Sequence, residues 1–357
     1  MRRRLPLLAA SLLSLLIGLW VGLVRMGWAL PVAPPSLPLA HGPIMVSGFL
    51  GTLIALERAV ALNALRRQSW PYAAPALSAL GVIVLIAGFQ TAAAWLFSLA
   101  ALVFAAASLL IWRMQPGLHT GSMAAGAVAW LSGNALWAGG RAPADIVPWW
   151  MAYVVLTIAG ERLDLGRILR IPEGWKWAFG AVVIVILAAL PLADAQPQAG
   201  ALLLGVSLLV LAGWLFAHDI ARRNIRQPGL TGYIARCMLM AYGWLAVAGL
   251  LRAGLGPAAA GFVYDSQVHA LFLGFTFSMV FGHAPIILPA ITGRSIVYAP
   301  GLNVPLILLQ ASLVLRLAGD FAARSVWRQW GGILGALAIV GFFGLMALSL
   351  LRSADTG

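Results

Sequence analysis

Charge, cysteine and polar stretches are scarce in this chain, and each shortage narrows what it can be. Charged residues make up only 9% of its 357 positions, against 62% hydrophobic ones. No segment between apolar runs is long enough to hold a soluble domain, so any chemistry must lie within or at the surface of a bilayer. A lone Cys237 excludes an internal disulfide, a thiolate metal cluster and a CxxCH site for covalent haem. No P-loop, dinucleotide fingerprint, HExxH or nucleophile elbow is present. The period-two alternation of a membrane β-barrel is missing as well.

What is present is a succession of apolar runs of about 20 residues, each long enough to cross a hydrocarbon core. The expected fold class is all-α, a polytopic membrane protein forming a single integral domain over residues 1–357. Twelve spans are predicted, near 5–29, 39–62, 71–89, 91–112, 119–138, 146–161, 174–192, 198–217, 230–251, 263–288, 302–319 and 329–351. The opening "MRRRLPLLAASLLSLLIGLWVGL" resembles a signal peptide with too long an apolar part, and is expected to be a retained first helix. The net charge of +13 does not point to nucleic acid, because the arginines sit at helix ends and not on one basic face. With both termini cytoplasmic, 17 of the 23 basic residues fall on the inner side and 6 on the outer. That is the positive-inside pattern of a bacterial-type plasma (inner) membrane protein.

The chain also resembles itself. "IALERAVALNALR" (54–66) and "IAGERLDLGRILR" (158–170) align at an offset of 104, pairing Glu57 with Glu161 and Arg58 with Arg162. At an offset of 226, "GFLGTLIALERA" lies over "GFTFSMVFGHAP", pairing Gly48 with Gly274 and Phe49 with Phe275 and setting His283 opposite Glu57. Three parallel four-helix pseudo-repeats are expected, roughly 1–112, 113–217 and 218–351.

Polar residues inside such spans are costly and so are candidates for function. His41 and His269 precede the shared Gly-Phe by seven and five residues, a depth difference of about 3 Å. Two imidazoles at one level suit haem iron or another metal, with Gly48 and Gly274 leaving room for a flat macrocycle. The plainer alternative is that both rings meet water and headgroups at helix starts. His283, 14 residues after His269, competes for the ligand role from within about 40° of the same helical face. His41 and Glu57 stand about 160° apart on an unbent helix. Asp265, one turn before His269, is placed to orient its second ring nitrogen, or else is a helix-start acid. Glu57 and Glu161 form either a proton or ion site with His283, or a duplicated structural anchor. Arg58 and Arg162 are expected in interfacial salt bridges. His119 and His218 are expected at the interface, and Asn134 in an interhelical hydrogen bond. Pro285 and Pro289 are expected to break span 10.

"HGPIMVSGFLGT" and "VHALFLGFTFSMVFGHAPIILPAITGR" resemble the histidine-bearing spans of the NnrS family, within the haem-copper oxidase subunit I-like superfamily. The likeness covers the topology of the whole chain and rests on these two motifs. It implies haem b, with His41 and His269 as the low-spin pair, and a role in nitric oxide or denitrification responses or electron transfer. A redox partner or a small gaseous ligand would follow from it. The chain departs from the oxidases in having no histidine between 146 and 192, where their copper ligands stand. The family's His-x-His-Glu character in span 2 is reduced to His41. An oxidase-type copper site is therefore not expected. A proton- or ion-coupled transporter working at the Glu57, Glu161 and His283 level is the alternative, and a non-catalytic assembly subunit a third.

Overall fold

A peptide group in hydrocarbon has no water to bond, so a chain this apolar must satisfy its backbone internally, and helices do so within each segment. The computed structural model of the protein describes residues 4–31, 34, 36–165 and 171–355, without the side chains of 165 and 352–355. Its helices are α1 (Arg4–Arg25), α2 (Leu37–Arg66), α3 (Trp70–Ile86), α4 (Gln90–Met114), α5 (Leu118–Ala138), α6 (Pro143–Leu165), α7 (Glu173–Ala195), α8 (Pro197–His218), α9 (Gly229–Leu255), α10 (Gly261–Thr292), α11 (Pro300–Phe321) and α12 (Ser325–Asp355). No strand occurs among the described residues. Ten of these helices are long and apolar enough to span a bilayer; α3 is shorter, and α5 is less apolar because it carries His119, Thr120, Ser122, Ser132 and Asn134. The chain is an all-helical, multi-pass membrane protein.

Two compact units divide it, residues 1–153 and 154–357. The division falls inside α6. Each unit contains one helix wound partly as a π-helix: Ile44–Gly51 in α2 and Ala270–Thr276 in α10. Bonding to the fifth residue instead of the fourth changes the angle per residue, and stretches of this kind recur at functional sites. The straight-helix angles expected between His41 and Glu57, and between His269 and His283, therefore do not apply.

In the first unit the π stretch is held by side chains from its neighbours. Ser11 Oγ donates to Phe49 O at 3.1 Å, and Ser78 Oγ donates to Ser47 O at 2.5 Å. Ser47 Oγ donates to Asn134 Oδ1 at 3.2 Å and accepts from Trp130 Nε1 at 3.2 Å. Trp150 Nε1 reaches the same Asn134 oxygen at 3.0 Å. Asn134 is thus an interhelical hydrogen-bond hub, as expected, and it is fully buried. Trp130 stacks on Tyr153 at 4.9 Å, and Gly51 is needed because any Cβ there would strike the Trp130 ring.

In the second unit small residues let helices close together, the usual device where lipid supplies no hydrophobic drive. A Cβ on Gly249 would lie 2.7 Å from Gly205 O, so α8 and α9 touch backbone to backbone. Around its π stretch, Trp244 Nε1 donates to Gln310 Oε1 at 2.6 Å, and Gln310 Nε2 donates to Ser278 Oγ at 3.2 Å. The expected break at Pro285 and Pro289 does not occur, since Phe277–Thr292 stays helical through both. Each proline removes one donor, and unwinding the span would forfeit more backbone bonds than that. The helix stops at Gly293, whose φ of 73° suits glycine.

Replacing the Asn134 hub tests this account of the first unit. Asn134→Ala strips the acceptor from Ser47 and Trp150, and each buried orphan costs about 1–3 kcal/mol. A clearly lower thermal midpoint in detergent is expected; an unchanged midpoint would show that the network contributes nothing to stability.

Candidate functional site

His41 opens the α-helical turn just before the first π stretch. Its Nδ1 lies 2.8 Å from Gly18 O, and a Cβ on Gly22 would fall 2.8 Å from the ring, so glycine at 22 makes room for the imidazole. Because a carbonyl only accepts, the ring proton sits on Nδ1 and the lone pair of the neutral ring on Nε2. His269 ends the α-helical part of α10 before the second π stretch, with Nδ1 2.9 Å from Asp265 O and 3.4 Å from Asp265 Oδ1. The hydrogen bond goes to the Asp265 backbone carbonyl, while the Asp265 carboxylate is gripped by Arg316 through two bonds of 2.8 Å. Beyond it Asp320 is buried, with neither carboxylate oxygen hydrogen-bonded among the described residues, and Arg328 Nε lies 4.0 Å away.

The space expected beside Gly48 and Gly274 is already filled. A Cβ on Gly48 would meet Val82 at 2.6 Å, and one on Gly274 would meet the Trp244 side chain at 2.6 Å. These glycines admit protein side chains, not a macrocycle. The two rings have the tautomer an axial ligand needs, but the flat seat imagined for the haem is absent at both glycines.

The densest polar cluster lies in the second unit. Arg162, at the end of α6, donates through Nε to Asp219 Oδ2 at 2.7 Å and through Nη2 to Oδ1 at 2.8 Å. Tyr242 OH adds a bond to Oδ2 at 2.7 Å, and Ala221 N one to Oδ1 at 2.7 Å. Arg162, Asp219 and Tyr242 are all buried. Arg162 forms a salt bridge, as expected, but with an aspartate that nothing in the duplicated motif foretold. His283 Nδ1 lies 2.8 Å from Met279 O, and its Nε2 is enclosed with no hydrogen-bond partner among the described residues. Glu161, Arg162 and Asp219 are within electrostatic reach of that ring. Asp219 also borders a cavity of about 410 Å³ lined by Ile171, Pro172, Ala217, His218, Arg222 and Arg223. Of the Glu57, Glu161 and His283 set, Glu161 lies within electrostatic reach of His283.

Glu57 is half-buried on α2 in the first unit, and its neighbour Arg58 directs Nη2 to Met123 Sδ at 3.0 Å. The duplicated Arg58 and Arg162 therefore bond differently, and their companions Leu169 and Arg170 lie outside the described residues. His218 is packed between Trp175 and Trp214, with Nδ1 3.0 Å from Trp214 O. Asp219, Tyr242, Arg316 and Asp320 were missed from sequence. Asp219 carried one usable signal, an acid at the end of an apolar run in "AHDIARR"; Tyr242 carried none. No group of three or more His, Cys, Asp or Glu is placed to hold a metal ion among the described residues.

The chain belongs to the family described as a domain of unknown function (DUF8744), whose model matches residues 4–351. No curated protein matches it in sequence.

The Arg162–Asp219 pair can be tested by a double-mutant cycle. Removing one partner strands a buried charge, so Arg162→Met or Asp219→Leu alone should cost about 3–5 kcal/mol. The double variant should sit closer to wild type than the sum of the two losses. Strictly additive losses in thermal unfolding would mean that the two side chains do not act as a pair.

Proposed function

We propose that the chain is a proton-coupled membrane transporter in which His283 takes up and releases the proton. The enclosed, unpartnered Nε2 of His283 carries this reading. With its proton held on Nδ1 against Met279 O, the neutral ring offers a lone pair at Nε2. Leaving a buried acceptor without a donor costs about 1–3 kcal/mol. Ionisable groups inside spans commonly mark proton or ion paths.

A proton that adds to Nε2 makes an imidazolium; its departure from the same atom restores the starting ring. Net transfer then requires Nε2 to meet a donor on one side and an acceptor on the other in turn. Pro285 and Pro289 favour such a change, because neither donates to the backbone carbonyl one turn earlier. Discontinuous backbone bonding beside a binding group is a recurring device of transporters. Asp219, which borders the cavity, and Glu161 are two carboxylates within electrostatic reach of the ring, and they support this reading. Glu57 would be its counterpart in the first unit.

Twelve spans, both termini cytoplasmic, an inner-membrane location and three parallel repeats belong to the same proposal. Helices at each expected stretch support the count. The π stretches, beginning at Ile44 and Ala270, support the 226-residue repeat.

The second reading is an NnrS-like haem b protein serving nitric oxide responses or electron transfer, favoured by the tautomers of His41 and His269. When bound, haem would supply redox or gas-binding chemistry. In each ring the contact at Nδ1 places the lone pair on Nε2, the atom that would face a haem iron, and Asp265 would stand behind His269.

Proteoliposomes carrying a pH-sensitive dye distinguish the outcomes. His283→Ala should slow proton entry at least about tenfold, with His119→Ala unchanged. Equal flux in wild type and His283→Ala would eliminate the proton reading. Visible spectra of protein from haem-replete cells address the second: a Soret band lost in His41→Ala and His269→Ala supports haem, and a colourless folded preparation rejects it.

A further inference from the structure

The cavity beside Asp219 has a chemistry that proton handling does not use. Its walls come from the start of α7 (Ile171 and Pro172), the end of α8 (Ala217 and His218), Asp219, and the short helical turn Ala221–Asn224, which supplies Arg222 and Arg223. Asp219 is the one acid among the described lining residues, and its carboxylate is already committed to Arg162, Tyr242 and Ala221 N. Arg222 and Arg223 are exposed and form no ion pair among the described residues; Arg222 lies 5.4 Å over the Phe216 ring. The uncompensated charge of the cavity is therefore positive.

We propose that this cavity binds a phosphate-bearing anion, with Arg222 and Arg223 holding the phosphoryl oxygens. Two guanidinium forks match the several acceptors of a phosphoryl group better than they match a halide. A volume of about 410 Å³ falls in the range of small-molecule sites and exceeds what a bare anion fills. Ile171, Pro172 and Ala217 give it an apolar wall suited to a carbon skeleton attached to the phosphate. The same chemistry is offered by the headgroup of an anionic phospholipid and by a soluble phosphate ester. Basic residues at helix ends also serve topology, but topology needs no cavity beside them. The site is independent of His283, so it stands whether or not the transporter reading does.

The full chain is compared in detergent and in nanodiscs of phosphatidylcholine, with and without phosphatidylglycerol. Inorganic phosphate and glycerol 3-phosphate are titrated against thermal stability and heat of binding. Wild type should show saturable stabilisation by at least one of these sources, weakened at least about tenfold in Arg222→Gln/Arg223→Gln and unchanged in Arg66→Gln/Arg67→Gln. Arg223→Gln alone serves if the double variant does not fold. Stabilisation by glycerol 3-phosphate in neutral nanodiscs assigns a soluble ligand; stabilisation by phosphatidylglycerol alone assigns a headgroup. Absence of saturable binding in every arm, or an equal loss in the Arg66 and Arg67 control, overturns the proposal.

Discussion

The backbone's need for hydrogen bonds where no water is present governs this molecule more than any other interaction. Ordinary helices meet that need within themselves. The two π stretches do not meet it neatly, and polar side chains gather around them. Ser11 and Ser78 take up carbonyls of the first stretch, and Ser47 ties it to Asn134, Trp130 and Trp150. Gln310, Trp244 and Ser278 form a comparable chain beside the second. The irregular winding and the buried polar residues are thus parts of one arrangement, each costly without the other.

Charge follows the same economy. Two aspartates in the second unit are each gripped by an arginine through paired bonds: Asp219 by Arg162 and Asp265 by Arg316. Paired and hydrogen-bonded, such charges are tolerated in a medium of low polarity. Against that background His283 Nε2 and the Asp320 carboxylate are two of several buried polar groups without a hydrogen bond among the described residues, and they are the imidazole and the carboxylate of that set. A chain that satisfies Asn134 and Asp219 so thoroughly has the means to satisfy a histidine.

Apolar run length made the helical class and the approximate span positions legible, and the rarity of polar groups in spans marked the histidines as candidates. Asn134 could be read as a hydrogen-bond hub because a lone amide in an apolar run has few other uses. Angular relations along α2 and α10 could not be read, since straight-helix arithmetic fails across a π stretch and nothing in "IMVSGFLG" announces one. The duplicated Glu-Arg motif was visible, yet the partner of Arg162 was not. Asp219 lies 57 residues away along the chain, and only the tertiary fold makes it a neighbour. The glycines misled for a related reason: a missing Cβ shows that something approaches, without showing whether it is a cofactor or Trp244.

Composition and run length alone determined that this chain would be helical and membrane-embedded, because the bilayer penalises unpaired peptide groups whatever the side chains are. Tertiary structure decided which polar groups meet: Asp219 with Arg162 and Tyr242, Asp265 with Arg316, and His283 Nε2 with no hydrogen-bond partner among the described residues. Those pairings depend on helix rotation and on close approaches such as Gly205 to Gly249, which are set by packing over the whole surface of each helix. No local stretch of residues contains that information.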